Sequence, residues 1–137
     1  ISLGYPAEEV ERLLFLGQDT RGQIDKLQPQ LTTEQLLKCQ KQIEAIKCSD
    51  RLLDYLQALV AGSRHSSHWV HGLSPRGGLA LLKAAKAWAF LDNRDFVLPE
   101  DIQAVWEAVA GHRLANQRAD GSDPQVVELL NQTPIPR

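Results

Sequence analysis

Residues 77–91 contain only two charged side chains, Lys83 and Lys86, set three apart in a run otherwise made of Gly, Ala, Leu, Trp and Phe. A helix that is apolar on all but one narrow face should be nearly surrounded by neighbours, so this segment is expected at the centre of a helical bundle. The rest of the chain agrees in kind. Leu and Ala dominate, β-branched runs are scarce, and the apolar spacing is mostly three and four, the pattern of helices. With 137 residues there is room for one domain, or one domain and part of a neighbour. No apolar run reaches the roughly 18 residues that a membrane span requires.

The bundle can be laid out from start and stop signals. Pro6 and the acidic pair Glu8-Glu9 suit a first helical turn, and Val10, Leu13 and Leu14 continue it over about residues 7–17. Residues 17–31, with two Gly, one Pro and many polar groups, read as a linker and the best domain boundary. Thr32 and Gln35 match a capping box, after which Leu36, Cys39, Ile43 and Ile46 are expected to form one buried stripe. Ser49-Asp50 opens a third helix with Leu52, Leu53, Leu56, Leu59 and Val60 facing inward, ended by Gly62. Ser74 and Pro75 open the central helix as N-cap and first helical residue. Phe96-Val97 is a brief extended piece. Pro99 starts a fifth helix with Ile102, Val105, Trp106 and Val109 on one face, closed by Gly111. The polar tail holds at most a short amphipathic turn around Val126, Val127, Leu129 and Leu130.

Composition excludes several functions. Fifteen Lys and Arg against seventeen Asp and Glu give a net charge of -2, unlike the strongly basic surfaces that grip duplex nucleic acid. Two cysteines, Cys39 and Cys48, make no disulfide framework and favour a reducing compartment. No phosphate loop, nucleophile elbow or zinc-protease motif is present. His65, His68 and His71 stand three apart, but in an expected loop without a neighbouring carboxylate or thiol; surface histidines explain them better than a metal site. The chain lacks Met and opens Ile-Ser-Leu-Gly, so it is expected to be part of a longer polypeptide.

One constellation stands apart, Gly72-Leu73-Ser74-Pro75-Arg76. If Ser74 caps the helix, Arg76 places a cation at the positive end of the helix dipole, where an acidic residue would be more stable. That arrangement makes sense where an anion is held, because free amides, the dipole and a forked guanidinium all favour phosphate. A plain salt bridge from Arg76 to a carboxylate is the structural alternative.

The string GLSPRGGLALLKAAKAWAFLDNRDFVLPEDIQAVWEAVAGHRL (72–114), with LGYPAEEVERLL (3–14), CSDRLLDYLQALVAGSR (48–64) and the ending Thr133-Pro134-Ile135-Pro136, resembles the C-terminal helical lid of MoxR-type AAA+ ATPases. The resemblance implies a mainly α fold of four to five helices with at most short β pieces. Residues 1–24 would be the end of the AAA+ core and a linker helix, and residues 25–137 the lid. It further implies that Arg76 is the sensor 2 arginine, with Ser74 and Pro75 beside it in the ATP-binding motif. ATP and its Mg would be held mainly by a core outside this chain, so the chain alone should not hydrolyse ATP. The implied partners are that core, neighbouring subunits of a ring, and proteins carrying a von Willebrand A domain, in the cytoplasm. Two departures weaken the likeness locally: Gly77-Gly78 follows the motif Arg where the family often has Ala, and Leu98 replaces the Thr that commonly caps the next helix. The competing reading is a stand-alone helical module that binds a protein partner through exposed Trp, His and Arg side chains.

Overall fold

The computed structural model describes residues 4–17, 22, 26–114 and 123–135. Six helices are present among them: α1 (Glu8–Phe15), α2 (Thr33–Ala45), α3 (Asp50–His65), α4 (Pro75–Leu91), α5 (Pro99–Leu114) and α6 (Pro124–Gln132). None is long and apolar enough to cross a membrane. The mainly helical fold expected from the sequence is thus present, with one more helix than the four to five anticipated. The chain divides into two compact units, Ile1–Leu37 and Lys38–Arg137. Residues 1–3, and residues 18–21 and 23–25 of the expected linker, lie outside the described residues.

In the first unit, α1 follows the acidic start signal, with Glu8, Glu9 and Glu11 in its first turn. The capping box that opens α2 forms in full. The Thr32 amide donates to Gln35 Oε1 at 2.8 Å, and the Gln35 amide to Thr32 Oγ1 at 3.2 Å.

The second unit holds the core. α4 packs chiefly on α5 and secondarily on α3, while α6 lies against both α3 and α5. Tyr55 and Leu59 of α3, Leu81 and Ala85 of α4, and Ile102 and Trp106 of α5 are all almost fully buried. Tyr55, not counted among the inward residues by spacing, uses its hydroxyl to accept from Gln103 Nε2 at 3.2 Å, which is how a phenol is accommodated in a core. The extended piece at Phe96 pairs in parallel with Lys47, through Lys47 N–H to Asp95 O and Val97 N–H to Lys47 O.

Several expectations are corrected. The α2 stripe is buried only at Ile46; Cys39 and Ile43 are half-buried and Leu36 is 49% exposed. An open cleft of about 540 Å³ separates Gln40, Ile43 and Glu44 of α2 from Leu79, Leu82, Lys83 and Lys86 of α4, leaving Ile43 partly uncovered. α4 is not surrounded: Leu79 and Leu91 are 59% and 71% exposed. Its buried face is made by Gly77, Gly78, Leu81, Ala85 and Ala89, whereas the large side chains of Leu79, Trp88 and Leu91 are exposed. Leu53 of α3 is exposed as well.

Neither Gly62 nor Gly111 ends its helix. A Cβ at Gly62 would lie 2.8 Å from Leu129 Cδ1, so this glycine is a seat for α6 on α3. α5 runs through Gly111 to Leu114, which is 2% exposed. Burying a Leu contributes about 1.5–3 kcal/mol and outweighs the roughly 1 kcal/mol that a helical Gly costs. The tail, expected to hold only a turn, forms the nine-residue α6. Asp123 caps it by accepting from the Gln125 amide at 3.0 Å. Trp106 Nε1 donates to Val126 O at 2.7 Å, and Trp69 Nε1 to Asp123 Oδ2 at 3.1 Å.

The cap expected to be missing at Leu98 is replaced from inside the helix. The Leu98 amide donates to Asp101 Oδ2 at 2.7 Å, which is the second half of a capping box without the first. The same carboxylate is held by both terminal nitrogens of Arg94, which also pairs with Asp92 at 3.1 Å. Asn93 takes the left-handed conformation at φ 56° to turn the chain there, a region that Asn tolerates better than most residues.

Candidate functional site

The Gly-Leu-Ser-Pro-Arg segment is fastened to the C-terminal turn of α3. Ser63, 1% exposed, accepts from the Leu73 amide at 2.9 Å and donates its own hydroxyl to Val60 O at 2.7 Å. Arg64 Nε donates to Leu73 O at 3.0 Å. Gly72 lies so close that a Cβ there would sit 2.5 Å from Arg64 Cα; only a residue without a side chain fits. Sequence reasoning missed Ser63 and Arg64, because their bonds span about ten residues and no local spacing rule couples them to the motif.

From this anchored loop α4 begins as expected. Ser74 is the N-cap and accepts from the Gly77 amide at 3.1 Å, Pro75 is the first helical residue, and Arg76 the second. Pro75 has no N–H and the cap takes that of Gly77, so among the first-turn donors the Arg76 amide remains. The expected cluster of free amides is therefore narrower, and the dipole and guanidinium carry most of any attraction for an anion. The Arg76 side chain is exposed and makes no ion pair or hydrogen bond with any described residue. The salt-bridge alternative does not occur. The two glycines that follow are buried: a Cβ at Gly77 would meet Leu73 Cδ1 and Cγ at 2.8 Å, and one at Gly78 would meet Val60 Cγ2 at 3.2 Å. They trade helix propensity for close seating of α4 on Leu73 and α3.

The remaining candidates are structural or solvated. His65, His68 and His71 are exposed; His65 Nδ1 bonds Ala61 O at 2.8 Å, and His68 meets Trp69 edge to face at 6.3 Å between centroids. No group of three or more His, Cys, Asp or Glu among the described residues is placed to hold a metal. Burial pushes the Cys48 thiol up, and nearby Lys86 offsets this only in part, so it is a poor nucleophile. Arg94 is half-buried in its grip on Asp101. Trp69 and Trp106 are buried at 7% and 1%, leaving Trp88 as the tryptophan on the surface. Of the Trp, His and Arg side chains that the stand-alone module would use, Trp69 and Trp106 are withdrawn into the core, while Trp88, His65, His68 and His71 stay at the surface.

Comparison with known proteins places this geometry. A family model described as the AAA lid domain matches residues 61–133. Over 114 residues, 83% of the chain, it is 32% identical to the uncharacterized protein YeaC of Bacillus subtilis, of which it covers 36%. It is 31% identical to the chaperone MoxR1 of Mycobacterium tuberculosis over 93% of the chain and 36% of that protein. The chain thus spans about a third of the length of these relatives. A crystal structure of a candidate ATPase from Cytophaga hutchinsonii superposes on the whole chain and 46% of its own, with a TM-score of 0.75 and 26% identity. With the family match reaching from the end of α3 through α6, and so across the anchored Arg76 turn, the chain belongs to the AAA lid domain family in its MoxR-type AAA+ ATPase branch.

Proposed function

We propose that this chain is the nucleotide-responsive lid of a MoxR-type AAA+ ATPase, with Arg76 as its sensor 2 arginine. The observation that carries the reading is the exposed, unpaired Arg76 guanidinium at the capped N-terminus of α4. A cation kept there without a carboxylate partner is locally unfavourable. Such a residue is suited to meet an anion brought by another part of the polypeptide. In this assignment residues 1–24 close the AAA+ core and connect it to the lid, which takes up residues 25–137.

The residues present fit the phosphate end of ATP and not its metal: the described first turn of α4 has no acidic side chain. ATP with Mg, held mainly by the core, supplies the phosphoryl group for hydrolysis. Arg76 would bind γ-phosphate oxygens and stabilise charge that develops there during transfer, a contribution that is mostly positioning and electrostatics. Ser74 and Pro75 set the helix start that presents it. Release of phosphate would free the lid to move relative to the core, coupling hydrolysis to chaperone-like remodelling or maturation of other protein complexes. The partners assigned on this reading are the core, neighbouring subunits of a ring, and von Willebrand A-domain proteins, in the cytoplasm.

The deciding experiment is Arg76→Ala in the full-length ATPase. Hydrolysis should fall severely while ATP binding is largely kept. Wild-type turnover in that variant would remove the assignment.

A further inference from the structure

Arg76 reaches its place through a single residue. Both backbone polar groups of Leu73 are taken by consecutive residues of α3: its amide by Ser63 Oγ at 2.9 Å, its carbonyl by Arg64 Nε at 3.0 Å. Its side chain, 1% exposed, lies under the first turn of α4, where a Cβ on Gly77 would meet it at 2.8 Å. Leu73 directly precedes the N-cap Ser74, and Arg76 follows two residues later. The Arg76 turn is thus gripped from below through Leu73, and the grip belongs to α3.

The Arg64 side chain is used in an unusual way for a surface arginine. Its terminal nitrogens pair with no described carboxylate, and among the described residues its one side-chain hydrogen bond is made by Nε to a main-chain carbonyl. Ser63 is equally committed, with its buried hydroxyl donating to Val60 O and accepting from Leu73 N–H.

From this we infer that Ser63 and Arg64 are positioning residues for Arg76: by holding both backbone polar groups of Leu73, and so the peptides before and after it, they fix where the guanidinium is presented to phosphate, without touching nucleotide themselves. The inference rests on the sensor reading of Arg76 and adds the device that aims it. A misplacement of about 1 Å at a phosphoryl-transfer site can cost up to a hundredfold in rate, so loosening this clamp should be read in turnover more than in affinity.

The test is a double-mutant cycle in the full-length ATPase, read by single-turnover ATP hydrolysis and by binding of a non-hydrolysable ATP analogue. Arg64→Ala should lower the hydrolysis rate by roughly tenfold or more, with analogue affinity changed by less than about threefold. Arg64→Gln should recover most of the rate, since its Nε2 stands the same number of bonds from Cα as the arginine Nε and can bond Leu73 O without the charge. Ser63→Ala should behave as Arg64→Ala does, and Ser63→Thr, which keeps the hydroxyl, should restore the rate. In an Arg76→Ala background, Arg64→Ala should cause no further loss, because two residues acting through one group are not additive. An Arg64→Ala variant with wild-type hydrolysis, or with the same fold-loss in both backgrounds, overturns the positioning role and leaves the sensor assignment standing. Wild-type hydrolysis in Arg76→Ala alone overturns the sensor assignment and this inference with it.

Discussion

Arg94 closes on the carboxylate of Asp101 with both terminal nitrogens, Nη1 lying 2.7 Å from Oδ2, while that same oxygen accepts the Leu98 amide at 2.7 Å. One buried side chain therefore caps α5 and ties down the turn after α4. Burial opposes ionisation of Asp101, but the guanidinium and the amide outweigh it, and the carboxyl is held below its usual range. Such a group stabilises the fold fully above the unfolded carboxylate pKa of about 4, and the contribution is lost as pH falls through the lower folded value. Asp101→Asn should lower the melting temperature at pH 7 and flatten the acid limb of the stability profile below about pH 4. Thermal melts across pH 2–7, a window set by those carboxylate values, check both.

Arg76→Ala should leave the fold intact. The side chain is exposed and unpaired, and removing a cation from a helix N-terminus relieves a few tenths of a kcal/mol. The expected result is a melting temperature equal to or slightly above wild type, beside the loss of hydrolysis. That opposition between stability and activity marks a residue kept for its chemistry, and calorimetry on the same preparation used for kinetics reads it.

The glycines near the motif should differ sharply. Gly72→Ala forces a methyl against the Arg64 backbone and should cost about 2 kcal/mol or more. Gly78→Ala meets only a Val60 methyl at 3.2 Å and gains up to about 1 kcal/mol of helix propensity, so it should be near neutral. Denaturant titration of the pair separates the two; equal effects would mean that Gly72 is not held against α3.

Trp106→Phe removes the donor to Val126 O and part of a side chain that is 1% exposed. Loss of that buried hydrogen bond together with a cavity should cost about 2–3 kcal/mol, and α6 should loosen first. Hydrogen exchange should then rise in residues 124–132 before it rises in α4.

The chain alone should show no steady ATP hydrolysis, because one arginine and a helix end cannot replace a phosphate loop. Steady turnover by the pure chain, scaling with its concentration, would contradict this.

What sequence made legible was local. The Thr32–Gln35 box, the Ser49 cap, whose Oγ accepts from the Leu52 amide at 3.2 Å, the Ser74 cap and Pro75 at the first turn of α4 are all set by chemistry within three or four residues, and each formed. The misreadings share another cause. Gly62 and Gly111 carry a stop signal by composition, yet Gly62 is held in its helix by Leu129, far outside any local window, and Gly111 by the burial of Leu114 in a core that no local rule describes. α4 looked buried because apolar residues run all round it, but α3 and α5 cover only part of its circumference and leave Leu79, Trp88 and Leu91 exposed. At the site, the helix start and its cation were readable in five consecutive residues, whereas the grip of Ser63 and Arg64 on Leu73 was not.

The seating of α6 has a practical consequence for anyone handling this domain. Its indole anchors at Trp69 and Trp106 and the Leu129 notch on Gly62 make the last helix a keystone rather than a trailing end. A shortened version ending near residue 114 would bare two tryptophans and a buried seam, and would be expected to precipitate. Reporter fusions therefore belong beyond Thr133.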